Sequence, residues 1–554
     1  MNLEFFKKRK IFNFIGRISK FTIFNIFLLL YINLKINENI LTNIRNIQDK
    51  VFVDSNFYFL SVMQINYFLI ILILFVIFYI FSYKILTWKN FENYKIVRVF
   101  ILIIAFSIFW EVCFFEYNYF LDTNMILDKL LLFTLFLAIF FNPIFVILFL
   151  FQSLIVLESL MFPLGYFHWT GVRPAYEILI LFMAFMLLKR FKDLHINIFI
   201  ILAIALHSAN YFIPGIAKIE ISPNGYEWTF LNELNNLFIS SYINGWLGFL
   251  KEEIIIKIAL FIDKIDWLIT IPTMIIQLGA IFLLYKKRIS ILFFIGFELL
   301  HLGIFFASGI FFWAWIIVNI GFIHLVSNLP EDETIQFFSK TNFYIFMGIV
   351  LLSPIFYKPI ALGWWDGKVN VIYDFYATTK YDKKIKLNRN DFSPYDEIYS
   401  QNRFYYTDKN KIAHNTFGNI ARDDMKYADT FKTKRTNDSY ELYLAYENAR
   451  SIDEIQVINK KFGKTFYNEK RKNNLENFVK TYFENYNKVE QKHSWYHKLG
   501  APYHIYDFSA KRLKGGEKIK KVEVYKTNIW WNKEKGKIVR FGEEKVMEVE
   551  IETN

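Results

Sequence analysis

Tyr211-Phe212-Ile213-Pro214-Gly215-Ile216-Ala217-Lys218-Ile219-Glu220 closes an apolar segment that begins near His195 and is long enough to span a bilayer. A lysine at the end of such a span has two interpretations. It is an interfacial residue that extends its ammonium to water, or a desolvated amine that acts as a base. On helical spacing, His207, Tyr211 and Lys218 share one stripe, because about eleven residues make three helical turns.

The Pro214-Gly215 pair stands one turn before the lysine. Proline removes a backbone donor, so we expect the helix to loosen there and to leave carbonyls without partners. At membrane depth such backbone is tolerated only where it is buried in protein or lines a cavity.

This stretch resembles the signature of the vitamin K-dependent gamma-carboxylase-like family, also called the HTTM domain family. The resemblance rests on Tyr211, Gly215 and Lys218, which match an aromatic residue, a glycine and a lysine at the end of a membrane helix. Pro214 stands where the family has a small residue, and the expected tryptophan comes late, as Trp228. In the carboxylase this lysine deprotonates reduced vitamin K, so the resemblance implies the same catalytic role for Lys218.

The composition indicates a polytopic membrane protein with a separate soluble part. Of the 554 residues, 54% are hydrophobic, and 64 are Phe. The net charge of +13 does not indicate a nucleic-acid partner, because the excess lies largely in short basic clusters beside apolar spans. Cys113 is the single cysteine, which excludes disulfides within the chain and Cys-rich metal sites.

Apolar segments recur through the first 360 residues, and we predict an α-helical membrane bundle of nine to eleven spans there. The segments lie near 20–35, 57–83, 97–115, 129–141, 143–162, 175–188, 195–217, 266–285, 289–307, 311–326 and 341–358.

Basic residues in alternate loops predict the orientation of the bundle. They place the N-terminus in the cytoplasm, and Lys218 and the C-terminal region on the outer face of the plasma or inner membrane. The cytoplasmic clusters are Lys7 to Lys10, Lys84 to Arg98, Lys189 to Lys192 and Lys286 to Arg288.

For residues 361–554 the sequence predicts a soluble, mixed, strand-bearing domain outside the cytoplasm. The carboxylase also has a strand-bearing outer domain after its membrane bundle. Strand-like stretches occur at Val369–Ala377, Lys521–Trp531 and Glu544–Ile551, and helix-like stretches at Tyr440–Ala449 and Leu475–Val489. Between Tyr226 and Leu250 the periodicity predicts one amphipathic helix on the outer leaflet, as an anchor or as a roof that admits a lipid-soluble substrate.

His168 lies in a predicted outer loop before a span. It either belongs to an interfacial belt with Tyr166, Trp169 and Arg173 or takes part in the chemistry. The resemblance implies the second role, since a histidine in the corresponding place supports the carboxylase reaction.

Glu298 and His301 are three residues apart on one helix face within an apolar span. Such a pair is costly in lipid, so we expect both side chains to face the bundle interior. The Glu-x-x-His spacing occurs in di-iron bundles, but a second such arm is missing from the sequence, so we predict no metal site. The resemblance implies a catalytic role for His301, and we predict that Tyr211, His207 and Glu298 bind the cofactor.

The resemblance implies a lyase that uses reduced vitamin K or menaquinol, with oxygen and carbon dioxide as co-substrates. Its partners would be the lipid bilayer and a peptide or protein whose glutamate is carboxylated on the outer face, with no nucleic acid. The alternative is a non-catalytic HTTM membrane protein that acts as a receptor, as a scaffold or in peptide export and maturation.

Overall fold

The computed structural model describes residues 20–47, 49–114, 118–161, 171–392, 395, 404–414, 416–420, 438–490, 499–511, 513 and 516–553. It is mostly helical up to residue 356, and a strand-bearing domain follows from residue 365. The predicted boundary between 360 and 361 falls in the segment that joins these two parts.

The helices of the first part include at least one in each predicted apolar segment of the sequence, and further short helices between the segments. They are α1 (Lys20–Arg45), α2 (Asp49–Val53), α3 (Tyr58–Met63), α4 (Asn66–Ser82), α5 (Tyr94–Cys113), α6 (Ile126–Phe141), α7 (Val146–Met161), α8 (Arg173–Lys189), α9 (Ile196–Ile221), α10 (Glu227–Leu231), α11 (Leu234–Ile243), α12 (Glu252–Ile265), α13 (Trp267–Gly279), α14 (Lys287–Ser308), α15 (Trp313–Ser327), α16 (Glu331–Phe337), α17 (Lys340–Leu351) and α18 (Ser353–Phe356).

Within the described ranges, four helices are long and apolar enough to cross a membrane. They are Tyr94–Cys113, Pro143–Leu160, Ile196–Ile221 and Lys287–Ser308. Helices α15 and α16 pass the same test together but meet at an angle of 112°, which gives up to five. Helix α4, the segment Trp267–Phe282 and helix α17 are apolar but shorter, so the count of nine to eleven spans stays a prediction.

The centre of the bundle is the pair α8 and α9, whose side chains are buried almost throughout. Helix α1 packs beside α8. Near its start, Asn25 accepts a hydrogen bond from Lys192 at 3.2 Å, and near its end, Glu38 lies 3.2 Å from Lys358. The end at Lys192 is therefore opposite to the end that continues into the second domain.

The second domain is built on a four-stranded antiparallel sheet in the order β3-β2-β5-β6. Its strands are β2 (Val369–Thr379), β3 (Lys384–Lys386), β5 (Ile519–Asn532) and β6 (Lys537–Glu550), and β1 (Trp365–Asp366) pairs separately with β4 (Asn419–Ile420). Its helices are α19 (Asp438–Asn448), α20 (Ile452–Phe462) and α21 (Glu469–Lys488). The three predicted strands and two predicted helices are thus confirmed.

Residues 226–250 differ from the prediction of a single amphipathic surface helix. They form the two short helices α10 and α11, and the polar side chains of α11 are buried against the second domain. Asn235 accepts a hydrogen bond from the Trp531 indole at 2.9 Å, and Asn236 donates to the Asp366 carbonyl at 2.7 Å. The prediction was wrong because the asparagines bind protein rather than water.

Candidate functional site

Helix α9 carries the lysine and is continuous from Ile196 to Ile221, although Pro214 lies inside it. The predicted loosening at the Pro-Gly pair is therefore wrong for the backbone. At this point α9 packs closely on α13, since a Cβ added at Gly215 would lie 3.0 Å from the Leu278 side chain. A larger residue at 215 would push α13 away from the lysine helix.

The Lys218 side chain is only 9% exposed. Its Nζ donates to the carbonyl oxygen of Leu362 at 3.0 Å, and the Pro214 carbonyl lies 3.5 Å away. The nitrogen also lies 4.9 Å from the centre of the Trp228 ring, within the range of a cation–π contact. Among the described residues, no carboxylate is at ion-pair distance from this nitrogen, so its partners are dipoles and a ring.

Residues 362–366, which we call the strap, lie over the lysine and lead into the second domain. A Cβ added at Gly363 would lie 2.8 Å from the Ala217 carbonyl, so this residue passes directly against the end of α9. The Trp228 indole donates to the Trp364 carbonyl at 2.9 Å, and the Trp364 indole donates to Asp366 at 3.2 Å. The ring beside Lys218 is therefore held by the strap.

Asp366 ends the strap and is 2% exposed. Its carboxylate accepts from Asn232 at 2.8 Å as well as from Trp364. Burial raises the pKa of Asp366 to about 6, while these hydrogen bonds and the charge of Lys218 act in the opposite direction. Asp366 is thus a buried carboxylate that interacts electrostatically with the lysine without an ion pair.

A second group of polar side chains lies deeper in the bundle, on α9, α14 and α15. His207 Nε2 lies 2.6 Å from Asn319 Oδ1, Asn319 Nδ2 donates to the Tyr211 hydroxyl at 3.2 Å, and this hydroxyl lies 3.4 Å from His301 Nε2. Since the asparagine oxygen can only accept, His207 carries its proton on Nε2. All four side chains are buried.

Aromatic rings enclose this histidine–tyrosine cluster. The Tyr211 ring stacks on Phe297 with a centroid distance of 3.6 Å, and the His301 ring lies 5.3 Å from Phe312 and 5.6 Å from Trp315. Each imidazole keeps one Nδ1 atom that is buried and has no hydrogen-bond partner among the described residues. These atoms are the polar contacts that the cluster can still offer to a ligand.

The structure brings together His207 and Tyr211, predicted to bind the cofactor, and His301, predicted to be catalytic, and Glu298 lies beside them. His301 faces the bundle interior, whereas Glu298 is half-buried. Lys218 is on the same helix as Tyr211 but seven residues further on, which is a rise of about 10 Å. The lysine and the histidine cluster therefore do not touch.

Two residues of this region had no role in the sequence-based prediction. Asn319 connects the cluster, and its signal in the sequence is a lone amide in the apolar segment 311–326. Asp366 lies in Trp364-Trp365-Asp366-Gly367, where the composition changes from apolar to polar. His168 lies outside the described residues. In the described part of the chain, no three His, Cys, Asp or Glu side chains are grouped so as to hold a metal ion.

The resemblance to the carboxylase-like family therefore rests on the residues of the lysine stretch: no protein-family model, no curated protein and no solved structure matches this chain.

Proposed function

We propose that the chain is an integral, multi-pass protein of the plasma or inner membrane. Apolar side chains that point away from the protein support this proposal. Phe81 on α4 is 68% exposed, and Leu299 on α14, on the face opposite His301, is 62% exposed. Contiguous apolar helix faces of this kind are unfavourable in water and stable in contact with lipid acyl chains.

The same proposal includes the shorter apolar helices as crossings, which gives nine to eleven spans. The contacts at the helix ends support it. Lys189 and Lys192, in one of the predicted cytoplasmic clusters, lie beside Glu92 and Asn25. Arg173, at the other end of α8, contacts Lys358 just before the second domain. With that cluster in the cytoplasm, the second domain and Lys218 are on the outer face.

We further propose that the protein is an enzyme of the gamma-carboxylase type, with Lys218 as its base. The observation that carries this proposal is the surroundings of the lysine nitrogen, which is buried among carbonyl dipoles and the Trp228 ring. A close carboxylate would hold the amine in its charged form, and none is at ion-pair distance among the described residues. An amine in such a site can take a proton from an acidic hydroxyl.

The residues present fit a reduced naphthoquinone, such as reduced vitamin K or menaquinol. Rings line the cluster around Tyr211, and the Nδ1 atoms of His207 and His301 are still available for oxygen atoms of a flat aromatic ligand. Tyr211, His207 and Glu298 would hold it, with His168 and His301 supporting the reaction. When bound, such a quinol would supply an acidic hydroxyl and, through its oxidation by oxygen to the epoxide, the strong base that removes a proton from a peptide glutamate before carbon dioxide adds.

One observation favours the non-catalytic alternative, a membrane receptor, scaffold or peptide-maturation protein with this fold. The Tyr211 ring is packed directly on Phe297, and the strap covers the lysine, so the chain's own residues fill both places. An enzyme would have to separate these groups when its substrates bind.

Turnover of a quinol distinguishes the two functions. The protein, purified in detergent, is incubated with reduced naphthoquinone, oxygen and bicarbonate, and quinone epoxide is measured by mass spectrometry. We expect epoxide from the wild type and none from Lys218→Met. Lys189→Met is the matched control, because Lys189 also lies in the last turn of an apolar helix, but beside Glu92 at the opposite end. Absence of epoxide from the wild type with both vitamin K and menaquinol would favour the alternative.

A further inference from the structure

We propose that Asp366 is a positioning residue for Lys218, which fixes the strap over the lysine nitrogen and thereby couples the second domain to the candidate base. Only its effect on turnover rests on the proposed function. Its effect on the charge of the site does not, and the two are measured separately below.

The strap reaches the lysine from two sides. Leu362 accepts the hydrogen bond of Nζ, and Trp364 holds the indole of Trp228, whose ring faces the same nitrogen. The Leu362 carbonyl accepts from Nζ, and the Trp364 carbonyl accepts from the Trp228 indole and so orients its ring. Both contacts therefore depend on the path of the backbone between residues 362 and 366. A shift of the strap would therefore remove both.

Asp366 fixes that path. Its two carboxylate oxygens accept from different elements, Oδ1 from Trp364 within the strap and Oδ2 from Asn232 after α10. Its backbone nitrogen donates to Asn232 Oδ1 at 2.8 Å, and its carbonyl accepts from Asn236 of α11. The side chain and backbone together tie the strap to the pair of short helices that follow the lysine.

The same residue belongs to the second domain. Asp366 is the last residue of β1 and pairs with Asn419 of β4, and the preceding Trp365 is fully buried and stacks on Tyr443 of α19 at 4.8 Å. Movement of the second domain is thus transmitted to the strap through one strand residue. This connection explains why a carboxylate is buried here although its ionised form is costly to desolvate.

The charged groups around Asp366 influence its pKa, which can be measured. The ionisable groups around the strap include Lys218 and Glu220 of α9, Glu227 of α10, Glu233 before α11, Lys368 before β2, Tyr440, Tyr443 and Glu447 of α19, and Lys533 after β5. Among them, Lys218 is the cation that lowers the pKa of Asp366.

The first experiment is an infrared titration, which needs no activity. Subtraction of the Asp366→Asn spectrum isolates the carbonyl band of protonated Asp366, and its intensity is followed from pH 4 to pH 9. In Lys218→Met the midpoint should move to higher pH by about one unit, because the lysine charge that favours the carboxylate is gone. Lys189→Met is the control and should leave the midpoint in place. An unchanged midpoint in Lys218→Met would overturn the proposal.

The second experiment is the pH profile of quinol turnover. In Asp366→Asn the acid limb of the profile, where turnover rises with pH, should move to lower pH by about half a unit, because a negative charge near the amine is removed. The amide keeps one of the two side-chain acceptor oxygens, and the backbone bonds of residue 366 to Asn232 and Asn236 remain. Asp382→Asn, at an exposed carboxylate of the same domain, should not move the limb. A uniform loss of turnover with an unmoved limb would show a merely structural role and overturn the proposal. An infrared shift in a protein without any turnover would refute the enzyme function and support the link between Asp366 and Lys218.

Discussion

Lys218 Nζ and the carbonyl oxygen of Leu362 are joined by a 3.0 Å hydrogen bond across 144 residues of sequence. The bond connects the end of the buried apolar helix α9 to the segment that starts the second domain. It means that the lysine is enclosed by protein and does not extend its ammonium to water, as an interfacial lysine would. Of the two interpretations of the sequence, the structure thus favours the buried amine.

Lys218→Arg tests whether the residue is a base. Guanidinium keeps its proton at ordinary pH, so the variant should retain positive charge and lose quinol turnover. Lys218→Met should lose turnover as well, at a cost in stability of only about 1 kcal/mol, the usual contribution of one hydrogen bond. Epoxide formation and thermal unfolding in detergent measure the two effects. Full turnover in the arginine variant would make Lys218 an electrostatic anchor and refute the proposed mechanism.

Asn319→Leu tests the buried cluster. The variant leaves the His207 imidazole without its partner and leaves the Tyr211 hydroxyl with His301 alone, so we expect a loss of about 1–3 kcal/mol in the free energy of unfolding. Ile320→Ala, at an exposed neighbour on the same helix, is the control and should cost far less. The measurement is thermal unfolding followed by circular dichroism. Equal losses in the two variants would mean that the cluster does not stabilise the bundle.

Much of the fold could be predicted because its signals are local. The apolar segments became helices, and the three strands of the second domain were found by their β-branched and aromatic runs, such as Val369–Ala377. The shared face of His207 and Tyr211 was predictable too, since helical periodicity alone decides it. Local patterns also suffice for the position of Lys218 at the end of its helix.

The remaining features depend on contacts between distant residues. In the sequence, Asn235 and Asn236 occupy the polar face of an amphipathic pattern, which predicts contact with water. They are buried because the second domain packs on this face. The contact between Lys218 and the strap likewise depends on how residues 362–366 return to α9, for which the sequence carries no periodic signal. Sequence reasoning grouped Lys218 with His301 by resemblance, whereas packing separates them along the bundle.

Gly363→Ala tests the strap. The added Cβ would lie 2.8 Å from the Ala217 carbonyl, and backbone cannot move aside as a flexible side chain can. We expect a loss of about 1–3 kcal/mol and reduced turnover, because the strap must shift away from Lys218. Gly348→Ala on α17 is the matched control, since its Cβ would have no neighbour within 4 Å, and it should be neutral or slightly stabilising. The same destabilisation in both variants would contradict the close approach of the strap.

The predicted orientation can be tested with a reporter that is active only in the cytoplasm, fused after Asn554. We expect no activity of this fusion. The basic loops, including Lys189 and Lys192, should be cytoplasmic, and the second domain begins at the opposite end of the bundle, which should lie outside the cytoplasm. The same reporter inserted in the loop at Lys286 should be active and serves as the control. Strong activity of the C-terminal fusion would reverse the topology and place Lys218 on the cytoplasmic side.

The last prediction concerns stability against pH in the second domain. Burial lowers the pKa of His414 from 6.5 to about 3, so the folded state holds this imidazole neutral, with Nδ1 3.1 Å from the Tyr446 hydroxyl. A group with a lowered pKa contributes stability that is present above pH 6.5 and is lost as the pH falls towards 3. Asp366 acts with the opposite sign, since its raised pKa gives stability below about pH 4 that is lost as the pH rises through 6.

The contributions of His414 and Asp366 to the pH dependence of stability are separated by comparing each single variant with the wild type. Between pH 7.5 and pH 5, the unfolding temperature of the wild type should fall more steeply than that of His414→Asn, because the variant has no imidazole to protonate on unfolding. Over the range from pH 4 to pH 6, Asp366→Asn should lack the loss of stability that the buried carboxyl causes as it ionises. Thermal unfolding at a series of pH values measures both slopes. Parallel curves for the wild type and His414→Asn would mean that this imidazole is protonated as easily in the folded domain as in the unfolded chain.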